Sequence, residues 1–442
     1  RNLALGVSAA PDYDFVTAGG DLKAFCGSLA ARAGGSAFLL DKDTLSYRIA
    51  AVFEGRAVTL DFSPVKGDIS NDLGQRDFTV NSIAVALSDI FEKAAPSVID
   101  PGAGVSDAAK RLLRATSAGV FDDDPLRSLR AVRLSLQYGL RIAPETLSLM
   151  QEKSGLLERT SAERKRDELV AVFSSKGTPE ALRLMYSTGI IGAVLPEAAG
   201  WASVDGYGLL DHSLKTLESA EDILDGLAGV FPGYAAELGG HFNRKLGAVE
   251  TRTVFKLAAF LHDFGKPYCL KREEGRLRFI GHDSAGAPLV RQFLLGLRFS
   301  RKIAGTVAGL VKDHHRVFNL ATLREPSLKA KAHFFRAAGG SPGLTLLCLA
   351  VADSRATRGV SDPELLRLAE EMLGFYYGVY LRKRPRPLLT GGEVMLRFGL
   401  AQGPLVGEAL RWVSEGVERG EVSSKKEAVA LIERLLAGRK GR

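Results

Sequence analysis

Pro11-Asp12-Tyr13-Asp14-Phe15-Val16 sets two carboxylates one residue apart in a run of β-prone side chains. In a strand, side chains at i and i+2 leave the same face, so Asp12 and Asp14 aim at one point while Tyr13 turns away. Like charges held side by side make a poor solvated edge and a good seat for a hard cation. Mg²⁺ takes oxygen ligands and commonly shares them with substrate phosphates. A chance D-x-D is common, so the stretch gains its meaning from the strands and motifs C-terminal to it. Residues 1–95 read as mixed α/β: a strand over Asp14–Thr17, a helix over Gly20–Arg32, a short strand over Ala37–Leu40, then a hairpin with arms Tyr47–Phe53 and Ala57–Phe62 around Glu54-Gly55. The second arm carries Val58-Thr59-Leu60-Asp61-Phe62, a third carboxylate on a strand expected beside the first. Three such carboxylates suit phosphoryl transfer, two holding divalent ions with the phosphates and the third orienting the attacking hydroxyl. The alternative for Asp61 is a strand-end carboxylate capping a turn.

A chain of 442 residues is expected to fold as two to four domains. Its formal net charge of +8 comes from Lys and Arg spread along the chain. That favours a folded surface for a polyanion, nucleic acid foremost, over an ordinary basic enzyme. Cys26, Cys269 and Cys348 are odd in number and far apart, which points away from a disulfide framework and to the cytoplasm. No apolar run approaches a membrane span and no signal peptide is legible, so no membrane partner is expected. The chain opens at Arg1 inside what reads as a motif, and is expected to be a fragment.

Beyond the hairpin comes Gln75-Arg76-Asp77-Phe78-Thr79-Val80-Asn81-Ser82. An arginine beside a carboxylate-bearing sheet can bind triphosphate oxygens in bidentate fashion, and Asn81 can bond to a ribose hydroxyl. Arg-Asp-Phe-Thr-x-Asn after D-x-D resembles the class II tRNA nucleotidyltransferase and bacterial poly(A) polymerase family. Further stretches keep the family's order. Asp100-Pro101-Gly102-Ala103-Gly104, running to Leu112-Leu113-Arg114, is similar to its motif joining head to neck. Asp123-Asp124-Pro125-Leu126-Arg127, continuing to Arg130 and Arg133, is similar to its base-reading E-D-x-x-R motif, with Asp123 in place of Glu. Ser161 to Leu169 resembles its E-R-x-x-x-E-L helix, which supports the neck, and Leu389 to Gly407 its tRNA-contacting tail. One departure stands at the start: the family's G-G-x-V-R-D should precede the D-x-D, and only Arg1-Asn2 remains.

Asp124 and Arg127, three apart at a helix start, admit two readings. One is an exposed i,i+3 ion pair. The other is a protein template: a carboxylate only accepts hydrogen bonds and a guanidinium only donates, which matches the amine and ring nitrogen of cytosine or adenine and rejects uracil and guanine.

Downstream, His212 in a predicted helix, Leu261-His262-Asp263-Phe264-Gly265-Lys266 and Val351-Ala352-Asp353-Ser354 resemble the HD phosphohydrolase fold. His282, His314 and His315 lie between the last two. The resemblance implies that His212, His262, Asp263 and Asp353 bind a divalent metal. Imidazole plus carboxylate admits transition metals as well as Mg²⁺. The alternative is an HD fold that keeps these side chains for packing.

The resemblance thus implies an α+β chain, an N-terminal nucleotidyltransferase palm followed by all-helical neck, HD and tail domains. The expected boundaries are 1–115, 116–200, 201–355 and 356–442, with the head N-terminally truncated. It implies a template-independent enzyme adding CMP, AMP or both from CTP and ATP to the 3′ end of tRNA. Asp12, Asp14 and Asp61 would be catalytic, with Mg²⁺ on Asp12 and Asp14. Arg1, Arg76, Asp77, Asn81, Asp124, Arg127, Arg130 and Arg133 would bind the nucleotide. The alternatives are a poly(A) polymerase, an enzyme adding only CC or only A, and an HD phosphohydrolase with a non-catalytic head. No oligomeric state is legible.

Overall fold

Alternation of apolar and polar side chains closes residues 12–64 into a four-stranded sheet. The structure, a computed structural model, describes residues 5, 12–42, 44–92, 96–201, 208–273, 276–323, 325–382, 388–418 and 421–440. The strands β1 (Asp12–Thr17), β2 (Ser36–Asp41), β3 (Ser46–Phe53) and β4 (Arg56–Pro64) lie in the order β1-β4-β3-β2. β2, β3 and β4 form an antiparallel meander, and β1 lies parallel to β4. The β3–β4 turn falls on Glu54 and Gly55 with φ of 49° and 76°, the left-handed pair that a two-residue hairpin turn needs to follow strand twist.

Between β1 and β2, helix α1 (Leu22–Arg32) starts two residues later than expected. Gly19 and Gly20 both take positive φ, and Asp21 assumes the cap, accepting the Ala24 amide at 3.0 Å. Cys26, Leu29 and Ala30 of α1 pack on Phe15, Tyr47, Ile49, Leu60 and Phe62 of the sheet, where Phe15 and Phe62 stack with centroids 4.8 Å apart. The period of two sends the residues that alternate with these to the opposite face.

The remainder is mainly helical, with four short two-stranded sheets among the described residues, giving the expected α+β architecture. Contacts divide the chain into two compact units, residues 1–370 and 371–442. In the first, the helix Arg127–Tyr138 buries Leu129, Ala131, Val132 and Leu134, and the helix Ala162–Ser174 buries Leu169, Val172 and Phe173. The helix Thr251–Leu261 is buried from Thr253 to Leu261. Trp201 packs on Phe260 and Phe264 at its end. Even its Lys256 is inside, where Nζ meets Glu221 Oε1 at 2.6 Å. The second unit has its own core of Leu389, Val394, Ala409, Val413, Ala428 and Ile432. Its helix Gly391–Phe398 opens with a reciprocal capping box between Thr390 and Glu393. No single helix among the described residues is long and apolar enough to cross a membrane.

Candidate functional site

The parallel pairing of β1 with β4 sets Asp12 opposite Thr59 and Asp14 opposite Asp61. Phe15 and Phe62 claim the helix-packed face, so the three carboxylates share the other one. Arg48, opposite Asp61 on β3, joins them there. Its Nε and Nη2 donate to the two Asp61 oxygens at 2.7 and 2.6 Å. The Asp61 hydrogen bond lifts the Arg48 pKa; burial works against this, and the charges of Asp61, Asp12 and Asp14 add to the rise. One cation therefore senses all three carboxylates. An oxygen-only donor set on one pleated face fits a hard divalent ion.

The nucleotide-binding residues implied by the resemblance fall into two groups, with Arg1 outside the described residues. Asp77 is buried; its Oδ1 accepts the Phe78 amide and Asn81 Nδ2, each at 2.8 Å, and its Oδ2 pairs with Arg130 Nη1 at 3.2 Å. Arg130 Nε also reaches Glu168 at 3.4 Å, and Arg133 Nε binds Glu168 at 2.6 Å. Burial disfavours the Arg130 charge, yet Asp77 and Glu168 outweigh it and hold its pKa above the ordinary value. These residues form one network tying the 76–82 segment to the helices Arg127–Tyr138 and Ala162–Ser174. Nearby, Arg76 pairs with Asp72 at 3.4 Å and its carbonyl accepts the Thr116 hydroxyl.

Before the helix Arg127–Tyr138, whose cap position falls on Leu126 with no side-chain hydrogen bond, Asp124 Oδ1 accepts the Leu126 amide at 3.2 Å within the turn. The i,i+3 ion pair is not what forms: among the described residues none joins Asp124 to Arg127. Asp124 Oδ2 is instead bound by Arg164 Nη2 at 2.7 Å. Arg127 donates to the Val120 and Gln75 carbonyls at 3.2 and 3.0 Å. Sequence reasoning missed Arg48, and placed Arg164 in a supporting motif without joining it to Asp124. For Arg48 a signal existed, since it sits between the core-facing Tyr47 and Ile49.

In the HD region, His212 stands on the helix Leu209–Asp225, and His262 and Asp263 come directly after the helix Thr251–Leu261. Asp353 comes from the helix Pro342–Arg358. The ligand atoms of His212, His262 and Asp353 lie within 4.8 Å of one another. Asp263 Oδ2 lies 3.4 Å from His212 Nε2 and 3.2 Å from His262 Nε2. Burial disfavours a charged His262, but Asp263 and then Asp353 override it and lift its pKa to about 9. Asp263 is itself held well below the usual carboxylate range: burial opposes this, and His262, His282 and Lys266 prevail. Gly265 permits the packing, because a Cβ there would stand 2.0 Å from the His282 carbonyl oxygen. His212, Asp263, Lys266, His315 and Asp353 line an open cleft of about 410 Å³. Imidazole nitrogens and carboxylate oxygens converging on a cleft fit a divalent ion of intermediate softness.

A profile described as "Probable RNA and SrmB- binding site of polymerase A" matches residues 139–201, and the HD domain profile matches residues 209–358. Among solved structures, the Thermotoga maritima CCA-adding enzyme complexed with tRNA is similar over 99% of this chain and 88% of its own, with a TM-score of 0.55 at 20% identity. A CCA-adding enzyme complexed with CTP is similar over 98% of this chain and 89% of its own, with a TM-score of 0.59 at 20% identity. At that identity both likenesses concern the fold alone. In sequence, the CC-adding tRNA nucleotidyltransferase of Thermus thermophilus is 33% identical over 91% of this chain and 84% of its own length. The A-adding tRNA nucleotidyltransferase of Deinococcus radiodurans is 32% identical over 98% of this chain and 93% of its own. Likeness of that extent is not confined to one shared module, and the chain belongs to the tRNA nucleotidyltransferase family.

Proposed function

We propose that this enzyme adds C, A or both to the 3′ end of tRNA from CTP and ATP by two-metal phosphoryl transfer in its head. The observation that carries the reading is the registry of Asp14 with Asp61, with Asp12 one pleat away on the same face. Asp12 and Asp14 would hold Mg²⁺, which when bound neutralises triphosphate charge and makes the attacking hydroxyl more acidic. Arg48 fixes the plane of the Asp61 carboxylate, and Asp61 accepts the proton of the tRNA 3′-hydroxyl. Arg76 is the arginine offered to the triphosphate, and Asn81 is offered to the ribose. Asp77, Arg130 and Arg133 act through their network, keeping that segment against the neck.

Asp124 and Arg127 read the base. A carboxylate has about four acceptor positions, so Asp124 can take the amine of cytosine or adenine while still bound to Arg164 and the Leu126 amide. The neck and tail grip tRNA by shape and phosphate, in keeping with the chain's net charge of +8. His212, His262, Asp263 and Asp353 would hold a divalent transition metal. The enzyme works in the cytoplasm, where its cysteines stay reduced.

Relatives that add only A and relatives that add only CC are both similar to this chain. The deciding experiment supplies CTP, ATP or both to tRNA transcripts ending before CCA and after CC, and sizes the products. The Asp12→Ala/Asp14→Ala enzyme should extend neither transcript; undiminished extension would overturn the assignment of the head.

A further inference from the structure

We propose that Phe38 on β2 is a stacking platform for the last base of the RNA whose 3′-hydroxyl is extended. The proposal deepens the reading of the head as the site of nucleotide addition to tRNA, and rests on it.

Three strand registers place the ring. β2 pairs with β3 so that Phe38 stands opposite Arg48, and β3 with β4 so that Arg48 stands opposite Asp61. β4 pairs with β1 so that Asp61 stands opposite Asp14. Residues directly opposite one another on neighbouring strands leave the same face of a sheet. Phe38, Arg48, Asp61 and Asp14 therefore form one row across all four strands, on the face turned away from α1. Three members of the row are charged, and the fourth is an aromatic ring at the sheet edge. At a strand spacing of about 4.8 Å, Phe38 stands roughly 10 Å from Asp61 along the row.

The fold makes no use of this ring. Phe38 is 48% exposed, and among the described residues no aromatic ring or cation pairs with it. The ring contacts of the sheet, Phe15 with Phe62 and Phe25 with Phe62, belong to the face that α1 covers. Arg48, next to Phe38 in the row, commits both Nε and Nη2 to Asp61 on its other side. The ring is thus bare on the face where substrate meets the carboxylates. An aromatic side chain left in water forgoes the burial that makes it useful, and a flat apolar partner would recover it.

Chemistry selects the occupant. Two bases come to the reaction centre, one on the incoming nucleotide and one on the RNA end. The incoming base is assigned to Asp124 and Arg127, which read its hydrogen-bonding edge. The other base belongs to the nucleotide whose hydroxyl gives its proton to Asp61. From that hydroxyl, the ribose and one stacking distance span the gap back to Phe38. Single-stranded RNA ends are commonly held with a base laid on an aromatic ring. A phenyl ring offers no hydrogen bond, so it tolerates any base. An RNA end whose last base changes as nucleotides are added needs that tolerance.

The test titrates the full chain with a tRNA transcript ending after CC, without nucleotide, and reads binding by fluorescence anisotropy. Phe38→Ala should weaken binding by roughly 5- to 150-fold. A transcript whose last nucleotide lacks its base should bind the parent enzyme equally weakly, and Phe38→Ala should cost that transcript nothing further. Phe38→Trp should keep the affinity, and Phe38→Leu, apolar but without a π-face, should lose it. Losses that multiply when the ring and the base are both removed, or parent-like binding by Phe38→Leu, overturn the platform. Unchanged binding by Phe38→Ala overturns it as well, and a dimer lost from that variant in sedimentation velocity would give the β2 edge to a second copy of the chain. A parent enzyme that binds neither transcript would overturn the tRNA reading, and the platform with it.

Discussion

Replacing Arg48 with methionine separates a metal-binding head from three carboxylates that merely share a face. The guanidinium binds both Asp61 oxygens at 2.7 and 2.6 Å, with Arg48 and Asp61 side chains 37% and 24% exposed. At such exposure the pair is well screened, and its loss should cost the fold only about 1 kcal/mol. The effect on a bound cation has the opposite sign. Deleting one positive charge roughly 5–8 Å from a divalent ion, at a water-like dielectric, removes about 1–2 kcal/mol of repulsion, or roughly 5- to 30-fold in affinity. The variant should therefore bind Mg²⁺ more tightly by that factor in calorimetric titration, while extending tRNA more slowly because Asp61 has lost its orientation. Both readouts are needed, since a merely damaged head would show slower extension with weaker binding. Unchanged or weakened Mg²⁺ affinity in a folded Arg48→Met enzyme would refute the reasoning, for the arginine would then not face the ion.

Two further perturbations address other parts of the chain. Arg164→Ala releases the Asp124 carboxylate that it binds at 2.7 Å. The loss of one charged hydrogen bond should reduce discrimination of CTP and ATP against UTP and GTP by about 1–2 kcal/mol, roughly 5- to 30-fold, in single-nucleotide extension assays. Unaltered selectivity would show that the carboxylate needs no such support. His241 is buried and meets Thr345 Oγ1 at 2.9 Å, and burial, with help from Arg244, depresses its pKa from 6.5 to about 4. Between those values the unfolded chain binds the extra proton. Its contribution, about 3 kcal/mol, is thus present above pH 6.5 and disappears as pH falls toward 4. Urea midpoints measured across that window should fall less steeply in His241→Gln than in the parent, and parallel curves would exclude the residue as the cause.

The sequence made the head legible where side-chain period and chemistry coincide. Apolar alternation in β1 and β4 put Asp12, Asp14 and Asp61 on the face away from α1, and the Glu54-Gly55 turn set the hairpin. What stayed hidden was decided by contacts distant in sequence. Arg48 could be assigned to Asp61 only once the register of β3 on β4 was known. Arg130 finds Asp77 across 53 residues of chain, and Arg133 finds Glu168 across 35. His212, His262, Asp263 and Asp353 could be nominated one by one, but the approach of His282 and His314 to Asp263 depends on a close backbone contact at Gly265 that no local pattern encodes.

Asp124 and Arg127 show why local rules fail in a particular direction. Spacing of three on a helix nominated Arg127 as the partner of Asp124. Arg127, however, already satisfies two backbone carbonyls, those of Val120 and Gln75, at the junction of head and neck. The Asp124 carboxylate is met instead by Arg164, which arrives from 40 residues away. A rule based on neighbours ranks the groups that could meet, and partners brought in by the fold can outrank them. Arg127 is accordingly held by the Val120 and Gln75 carbonyls and Asp124 by Arg164, so the relative placement of the two side chains is set by those contacts and not by a spacing of three along the chain.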